Sequence, residues 1–313
     1  MDQRLSSGVS PAGYLHGSYA ESLSEFGQPF KLVGSEGWIL LRTIPRAESV
    51  RDAMGCYPLF CCRDWSKLNS DLDQLEGQIV SIAIVADPFG EYDTERLREC
   101  FPDAFTHFKD HFVVDLGREP KDFIHPHHRR NARKAFSQLS VEVCRNQSHF
   151  IEDWISLYEE LTRRHRIIGV AAFSKDSFVK QFLVPGIVVF RAASRNRTEG
   201  MLLWYVQDGV AYYHLGAYSE VGYKLGASFA LFQAAIEEFQ HRGLRWLNLG
   251  AGAGVDATGD LGLTRFKAGW STGVRPAFFC GRILHLQKYW ELGRLRDIRE
   301  TNYFPAYRLG EFS

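Results

Sequence analysis

The chain has 313 residues, 45% of them apolar, and its 37 Lys and Arg are matched by 37 Asp and Glu. Balanced charge argues against the broad positive field that captures DNA or RNA through many phosphates, although a local basic groove remains compatible with it. The apolar share is that of a folded protein with a sizeable core to bury.

Six cysteines, at 56, 61, 62, 100, 144 and 280, show no Cys-x-x-Cys spacing and no disulfide density, so reduced thiols are expected. Cys61 and Cys62 would point to opposite sides of a strand, which disfavours a shared metal. The opening MDQRLSSGVSPAG has no apolar signal core. No window approaches the ~18 consecutive apolar residues that span a bilayer. The expectation is a cytoplasmic protein without a transmembrane segment.

In chain order, residues 1–14 are rich in Ser, Gly and Pro and read as loose. Gly37 to Ile44 reads as a buried strand stopped by Pro45, and Asp64 can cap a short helix carrying Trp65, Leu68, Leu72 and Leu75. Gln78 to Val85 is the clearest central strand of the first half, followed by a helix from Thr94 to Cys100 and a strand from Phe108 to Leu116. His125 to Leu139 reads as a helix with heavily basic first turns. The second half begins with a strand, Val141 to Cys144, then a helix with Phe150, Trp154, Leu157, Tyr158 and Leu161, and another near Lys175 to Phe182. Three strands follow, Gly186 to Ala193, Met201 to Val206 and Gly209 to Leu215, with turn chemistry at Asn196-Arg-Thr and Asp208-Gly209. A helix with Phe229, Phe232, Ile236 and Phe239 on one face stops at Gly243. Leu244 to Leu249 is a strand that runs into a glycine bend at Gly250, Gly252 and Gly254. Val274 to Phe279 is a last strand, and the tail from Ile283 reads as helical to about Arg299. These elements predict an α+β protein with a boundary near residue 140: one unit over 1–140, a second over 141–282, and a helical tail over 283–313.

Glycines in Leu247 to Gly254 would let a backbone approach a phosphate or nucleoside. The run mimics the first motif of S-adenosylmethionine methyltransferases, but Asn248 stands where that motif has an acid. Only 59 residues follow Gly254, too few for the rest of a doubly wound domain of ~100–150 residues. Val255 breaks the G-x-G-x-x-G dinucleotide pattern. Methyltransferase is kept as a remote alternative.

Leu263-Thr-Arg-Phe-Lys-Ala-Gly-Trp270 is the more specific signal. With Gly250 and Gly262 upstream, it resembles the FK-x-G-[FW] segment of Fem-type peptidyltransferases and of the related BioF2-like acyltransferases of the GNAT superfamily. The likeness runs back through the Tyr212-Tyr213 strand, the amphipathic helix and Gly243. It reaches Pro58-Leu-Phe60, Asp87-Pro-Phe89 and the strand-then-basic-helix run of the first half. The resemblance implies two tandem GNAT-like lobes, each a mixed, mostly antiparallel sheet flanked by helices, with the acceptor between them and the donor on the second. It implies an acyl or aminoacyl transfer to an amine, with acyl-CoA or aminoacyl-tRNA as co-substrate and no permanently bound cofactor. The acceptor would be a small molecule or a precursor; tRNA would be a partner only if it carries the donor. A degenerate, non-catalytic binding or scaffold protein is the alternative.

N-acyl transfer needs a neutral amine, a positioned carbonyl and a donor for the oxyanion. By the resemblance, Lys267 lies at the catalytic centre, where its cation would face the carbonyl. Tyr213, His214, Glu220 and Asp260 are candidates to take the amine's proton, if a protein base is used at all. Gly226, Ala227, Asn248, Gly250, Gly252 and Phe266 are the expected donor-binding residues. CoA-using GNAT proteins carry R/Q-x-x-G-x-G/A there, and Tyr223-Lys-Leu-Gly226-Ala-Ser228 keeps only the central glycine. The departure leans towards an aminoacyl donor. Arg129, Arg130, Arg133 and Lys134, spaced by three and four, could bind phosphates of an acceptor or of tRNA. His125, His127 and His128 sit in a basic context with Pro126, and the pair His107 and His111 falls in a strand entrance, so no metal site is expected.

Overall fold

A computed structural model of the chain describes residues 10–252, 261–295 and 301–311. Its strands are β1 (Gln28–Lys31), β2 (Trp38–Ile44), β3 (Ala47–Gly55), β4 (Ser81–Val85), β5 (Ala104–Asp115), β6 (Ser140–Val143), β7 (Ile187–Ser194), β8 (Arg197–Gln207), β9 (Val210–Tyr218), β10 (Trp246–Gly250) and β11 (Gly273–Ile283). Among the described residues they form one mixed sheet in the order β1-β2-β3-β4-β11-β5-β10-β9-β8-β7-β6. The pairings β3–β4 and β9–β10 are parallel and the others antiparallel. The mixed, mostly antiparallel character is as the sequence predicts. The strands of the two halves, however, are joined edge to edge into a single sheet.

The join has a definite form. β4 does not pair with β5, the next strand in the chain, but with β11 from the far end of the sequence. β5 in turn pairs with β10, and β5 and β11 lie side by side at the centre. Each half therefore places its last long strand in the other half's part of the sheet.

Local sequence explains the hairpins. Asp208 and Gly209 both take positive φ (46° and 77°), the two-residue turn whose twist matches the strands it joins. Between β7 and β8 the positive-φ pair is Arg195-Asn196 (49° and 64°), one residue earlier than the sequence pattern indicates.

Along β8 the side chains alternate between two cores. Leu203 and Tyr205 face Trp154, Tyr158 and Phe178 of the helices Ile151–His165 and Lys175–Gln181, while Leu202 and Trp204 face Phe232 and Phe239 of the helix Ala227–His241. The helix Pro126–Phe136 lies along that last helix, with Ala132 and Ala135 buried at the contact. In the first half, Ile39, Ile82 and Ile84 pack against Phe60, Leu68, Leu72 and Phe101.

Strand β3 escaped the sequence reading because Glu48, Arg51 and Asp52 break its apolar alternation. The structure resolves this at Asp52, which is fully buried yet held by two arginines. Arg42 Nε donates to it at 3.2 Å, and Arg308 donates from Nε at 2.6 Å and Nη2 at 2.9 Å. Tyr307 also donates to Asp52, at 3.2 Å. The tail therefore docks its last described residues onto β2 and β3, and its helix, Leu286–Leu295, buries Tyr289 and Leu292 beside Ile44 and Val80.

Candidate active site

The site lies where two parallel strands part. β10 pairs with β9 only at Trp246–Asn248 against Val210–Tyr212. Beyond that, β9 follows β8 to Tyr218, while β10 stops at Gly250, whose φ of +72° turns the chain away. The register with β5 also shifts between Asn248 and Gly250.

Lys267, from the helix Leu261–Ala268, reaches into this split. Its ammonium donates to the Ala251 carbonyl at 2.6 Å and sits 5.3 Å from the centre of the Tyr213 ring. A Cβ at Gly250 would stand 3.2 Å from Nζ, so a bare glycine lets the cation lie against the bend. The side chain is 5% exposed. Burial, with Lys109 nearby, pulls its pKa down from the ordinary lysine value to about 7.

Around it stand residues of β5. Asn248 Oδ1 accepts from the Gly250 amide at 2.9 Å and from His111 at 3.0 Å. The backbone donor fixes which end of the Asn248 amide is oxygen, so His111 must carry its proton on Nδ1. Burial, then the charges of Lys267 and Lys109, hold the ring's pKa down at about 4 against the pull of Asn248 and Asp110. Lys109 itself reaches the Gly252 carbonyl at 3.5 Å.

The FK-x-G-W run now has a physical reading. Phe266 packs edge-on to Phe229 and Phe232, with ring centres 5.2 and 5.0 Å away, and Trp270 is fully buried against Phe232. His128 donates from Nε2 to the Phe266 carbonyl at 3.0 Å, and its ring occupies the space beside Gly269. A Cβ on Gly269 would fall 2.4 Å from that ring. The two aromatic anchors and the tight glycine fix the helix so that Lys267 is aimed at the split. Gly269→Ala is expected to cost about 1–3 kcal/mol through overpacking. Thermal denaturation checks this, and a second change, His128→Ala, should recover part of the loss because the two sites are in contact.

Tyr213 supplies the ring beneath Lys267, and burial raises its pKa above the usual phenol range. A Cβ at Gly216 would meet its hydroxyl at 2.5 Å. His214, the next residue, points to the opposite face. It lies 3.1 Å from Tyr14 Oη and 3.0 Å from Gln181 Oε1, and burial holds its pKa at about 3. The structure does not bring His214 to Lys267. Glu220 is exposed and paired with Lys224 at 2.6 Å, and Asp260 lies outside the described residues, as does Gly254.

Gly226 (φ +73°) joins the short helix Glu220–Leu225 to the helix Ala227–His241. Ala227 is fully buried, and a Cβ on Gly226 would stand 3.8 Å from Ala135 of the basic helix. The helix Pro126–Phe136 therefore flanks this turn, at which Gly226 is half-buried. Thr264 crowds Gly252, where a Cβ would be 2.5 Å from its hydroxyl.

Phe266, Phe229, Lys121, His128, Arg129 and Arg265 are among the residues lining an open cleft of about 880 Å³. Lys267 does not line it. Arg129 is half-buried at its wall, whereas Arg130, Arg133 and Lys134 are exposed along the rest of the helix. Among the described residues, no group of three or more His, Cys, Asp or Glu side chains could hold a metal ion. His111 and Lys109 are the additions the sequence did not supply. The His107–His111 spacing was visible, but nothing in one dimension places β5 beside β10.

Residues 126–267 match the family model described as an acetyltransferase (GNAT) domain, a span that contains β6–β10, Gly226 and Lys267. No curated protein matches the chain. Among solved structures, FemX aligns with a TM-score of 0.63 at 13% identity, covering 90% of this chain and 95% of its own. The C-terminal domain of an Agrobacterium fabrum protein assigned as a lysylphosphatidylglycerol synthetase aligns with a TM-score of 0.63 at 15% identity, covering 88% and 91%. L-PGS from Bacillus licheniformis follows with a TM-score of 0.55 at 12% identity, covering 88% and 94%. The chain shares their fold, and its residues 126–267 resemble a GNAT acetyltransferase domain.

Proposed function

We propose that this protein transfers an acyl or aminoacyl group from an activated ester or thioester to an amine, with the Lys267 ammonium stabilising the oxyanion. The observation that carries the reading is the buried cation held in the split between β9 and β10, inside the span that matches an acetyltransferase domain. A buried lysine in a site that excludes water acts on a developing negative charge far more strongly than an exposed one.

Between donors, the turn at Gly226 favours an aminoacyl ester over CoA. Tyr223-Lys-Leu-Gly226-Ala-Ser228 keeps only the central glycine of the CoA-binding loop, and the Gly226 amide already donates to the Tyr223 carbonyl at 3.2 Å. The name of the lysylphosphatidylglycerol synthetase neighbour accords with an aminoacyl cargo. We read the chain as two lobes, 1–140 and 141–282, with a tail over 283–313. The acceptor amine would enter between them, and the exposed Arg130, Arg133 and Lys134 would meet phosphates of the acceptor or the donor. The reading places the protein in the cytoplasm. Among the described residues no helix is long and apolar enough to cross a membrane.

Thermal shift in the presence of acetyl-CoA, S-adenosylmethionine or an aminoacylated CCA trinucleotide tests the donor. A ligand at 100 times its Kd stabilises by about 2.7 kcal/mol. The expected result is a rise in Tm with the trinucleotide and none with the other two. A shift with acetyl-CoA alone would reassign the donor, and one with S-adenosylmethionine alone would replace transfer of an acyl group by methylation.

A further inference from the structure

We propose that His111 is the catalytic base of this transfer, taking the proton of the attacking amine on Nε2 and returning it to the leaving group. The proposal rests on the transfer reading above and adds the residue that handles the proton. His111 belongs to β5, outside the matched GNAT segment, and reaches the split only because β5 pairs with β10.

Three features of its setting point to this role. The ring is 8% exposed, and Nδ1–H is committed to Asn248 Oδ1, which the Gly250 amide orients from the other side. A fixed Nδ1–H tautomer leaves the Nε2 lone pair as the ring's only basic site. Among the described residues no hydrogen-bond partner engages Nε2. Among the described residues, the charged groups that act on the ring are Lys267, Lys109 and Asp110, beside the neutral Asn248. Burial and the two lysines keep the ring uncharged at neutral pH, the form a base needs. Tyr213 and His214 do not compete. The first is a half-buried phenol packed over Gly216, and the second has both nitrogens engaged on the other face of the sheet.

The step balances without a further reactant. The amine nitrogen attacks the ester carbonyl, a C–N bond forms, and the carbonyl π pair moves to oxygen beside the Lys267 ammonium. The amine's proton passes to His111 Nε2. Collapse of the tetrahedral intermediate breaks the C–O bond to the donor, and the imidazolium protonates the departing alkoxide. His111 ends as it began.

The test uses the full chain, the 3′-alanyl ester of a CCA trinucleotide and glycinamide, comparing wild type, His111→Ala, His111→Asn and Lys267→Ala. His111→Ala should lose about 10²–10⁴-fold in kcat, with the KM for the ester changed less than threefold and added imidazole restoring part of the rate. His111→Asn can still donate to Asn248 but carries no base, and it should be as slow as the alanine variant. Full activity in His111→Asn, or a loss that imidazole does not restore, would reduce His111 to a structural part. Normal turnover in His111→Ala while Lys267→Ala is inactive would overturn this assignment alone. A wild type inert towards this pair would overturn the transfer reading and the assignment with it.

Discussion

Replacing Lys267 by alanine is expected to leave the fold intact and lower turnover by at least tenfold, and by about 10²–10³ if the ammonium is a full oxyanion donor. The packing that shapes its helix comes from Phe266, Gly269 and Trp270 rather than from the lysine, so the circular dichroism spectrum should be unchanged. Unchanged turnover would remove Lys267 from the chemistry. The same residue makes a prediction about pH. Its folded pKa of about 7 lies below the ordinary value of 10.5. Between those two values the unfolded chain binds the proton that the folded one has lost, so stability rises with pH across that window. Below about 7 the charge is present in both states and the cost of burying it is fully felt. Lys267→Met should therefore flatten the increase of Tm from pH 7 to pH 9 relative to wild type. The rate should move the other way, because a cation lost above about pH 7 can no longer hold an oxyanion.

Asp52→Ala should be the most damaging change far from the site, costing about 3–5 kcal/mol as seen by denaturant unfolding. It would leave the guanidinium groups of Arg42 and Arg308, 8% and 4% exposed, without their shared carboxylate. Glu311 contacts both arginines, at 3.2 and 2.8 Å, but at 26% exposed it cannot replace a fully buried partner. Adding Arg308→Met to Asp52→Ala should recover part of the loss, since one uncompensated buried charge goes with it. A loss below about 1 kcal/mol would mean that the tail is not anchored through this network.

Much of the architecture was legible because the signals were local. The Asp208-Gly209 turn, the helix Thr94–Cys100 capped by Asp93, and the apolar face of Phe232, Ile236 and Phe239 each report themselves within a few residues. β3 was not legible, since its strand state depends on Asp52 meeting arginines from β2 and from the tail. The site divides the same way. Lys267 stands in a run whose glycine and aromatics mark a packed element, and Asn248 and Gly250 close a readable strand. His111 carries no such mark. Its meaning arises from a neighbour more than 130 residues further on, Asn248, which decides its tautomer. Conversely, His214 adjoins Tyr213 in sequence, and in a strand that adjacency sends the two side chains to opposite faces.

The interleaving of β5 and β11 bears on how the chain is made. On the ribosome, Val85 must wait for Phe279 before its strand gains that neighbour, and β10 needs a strand synthesised long before it. The N-terminal portion thus spends most of translation with an open edge, a template for unwanted β-pairing between nascent chains. A fragment confined to 126–267 would lack both central strands and expose the edge of β10. Such a fragment should aggregate more readily than the intact polypeptide.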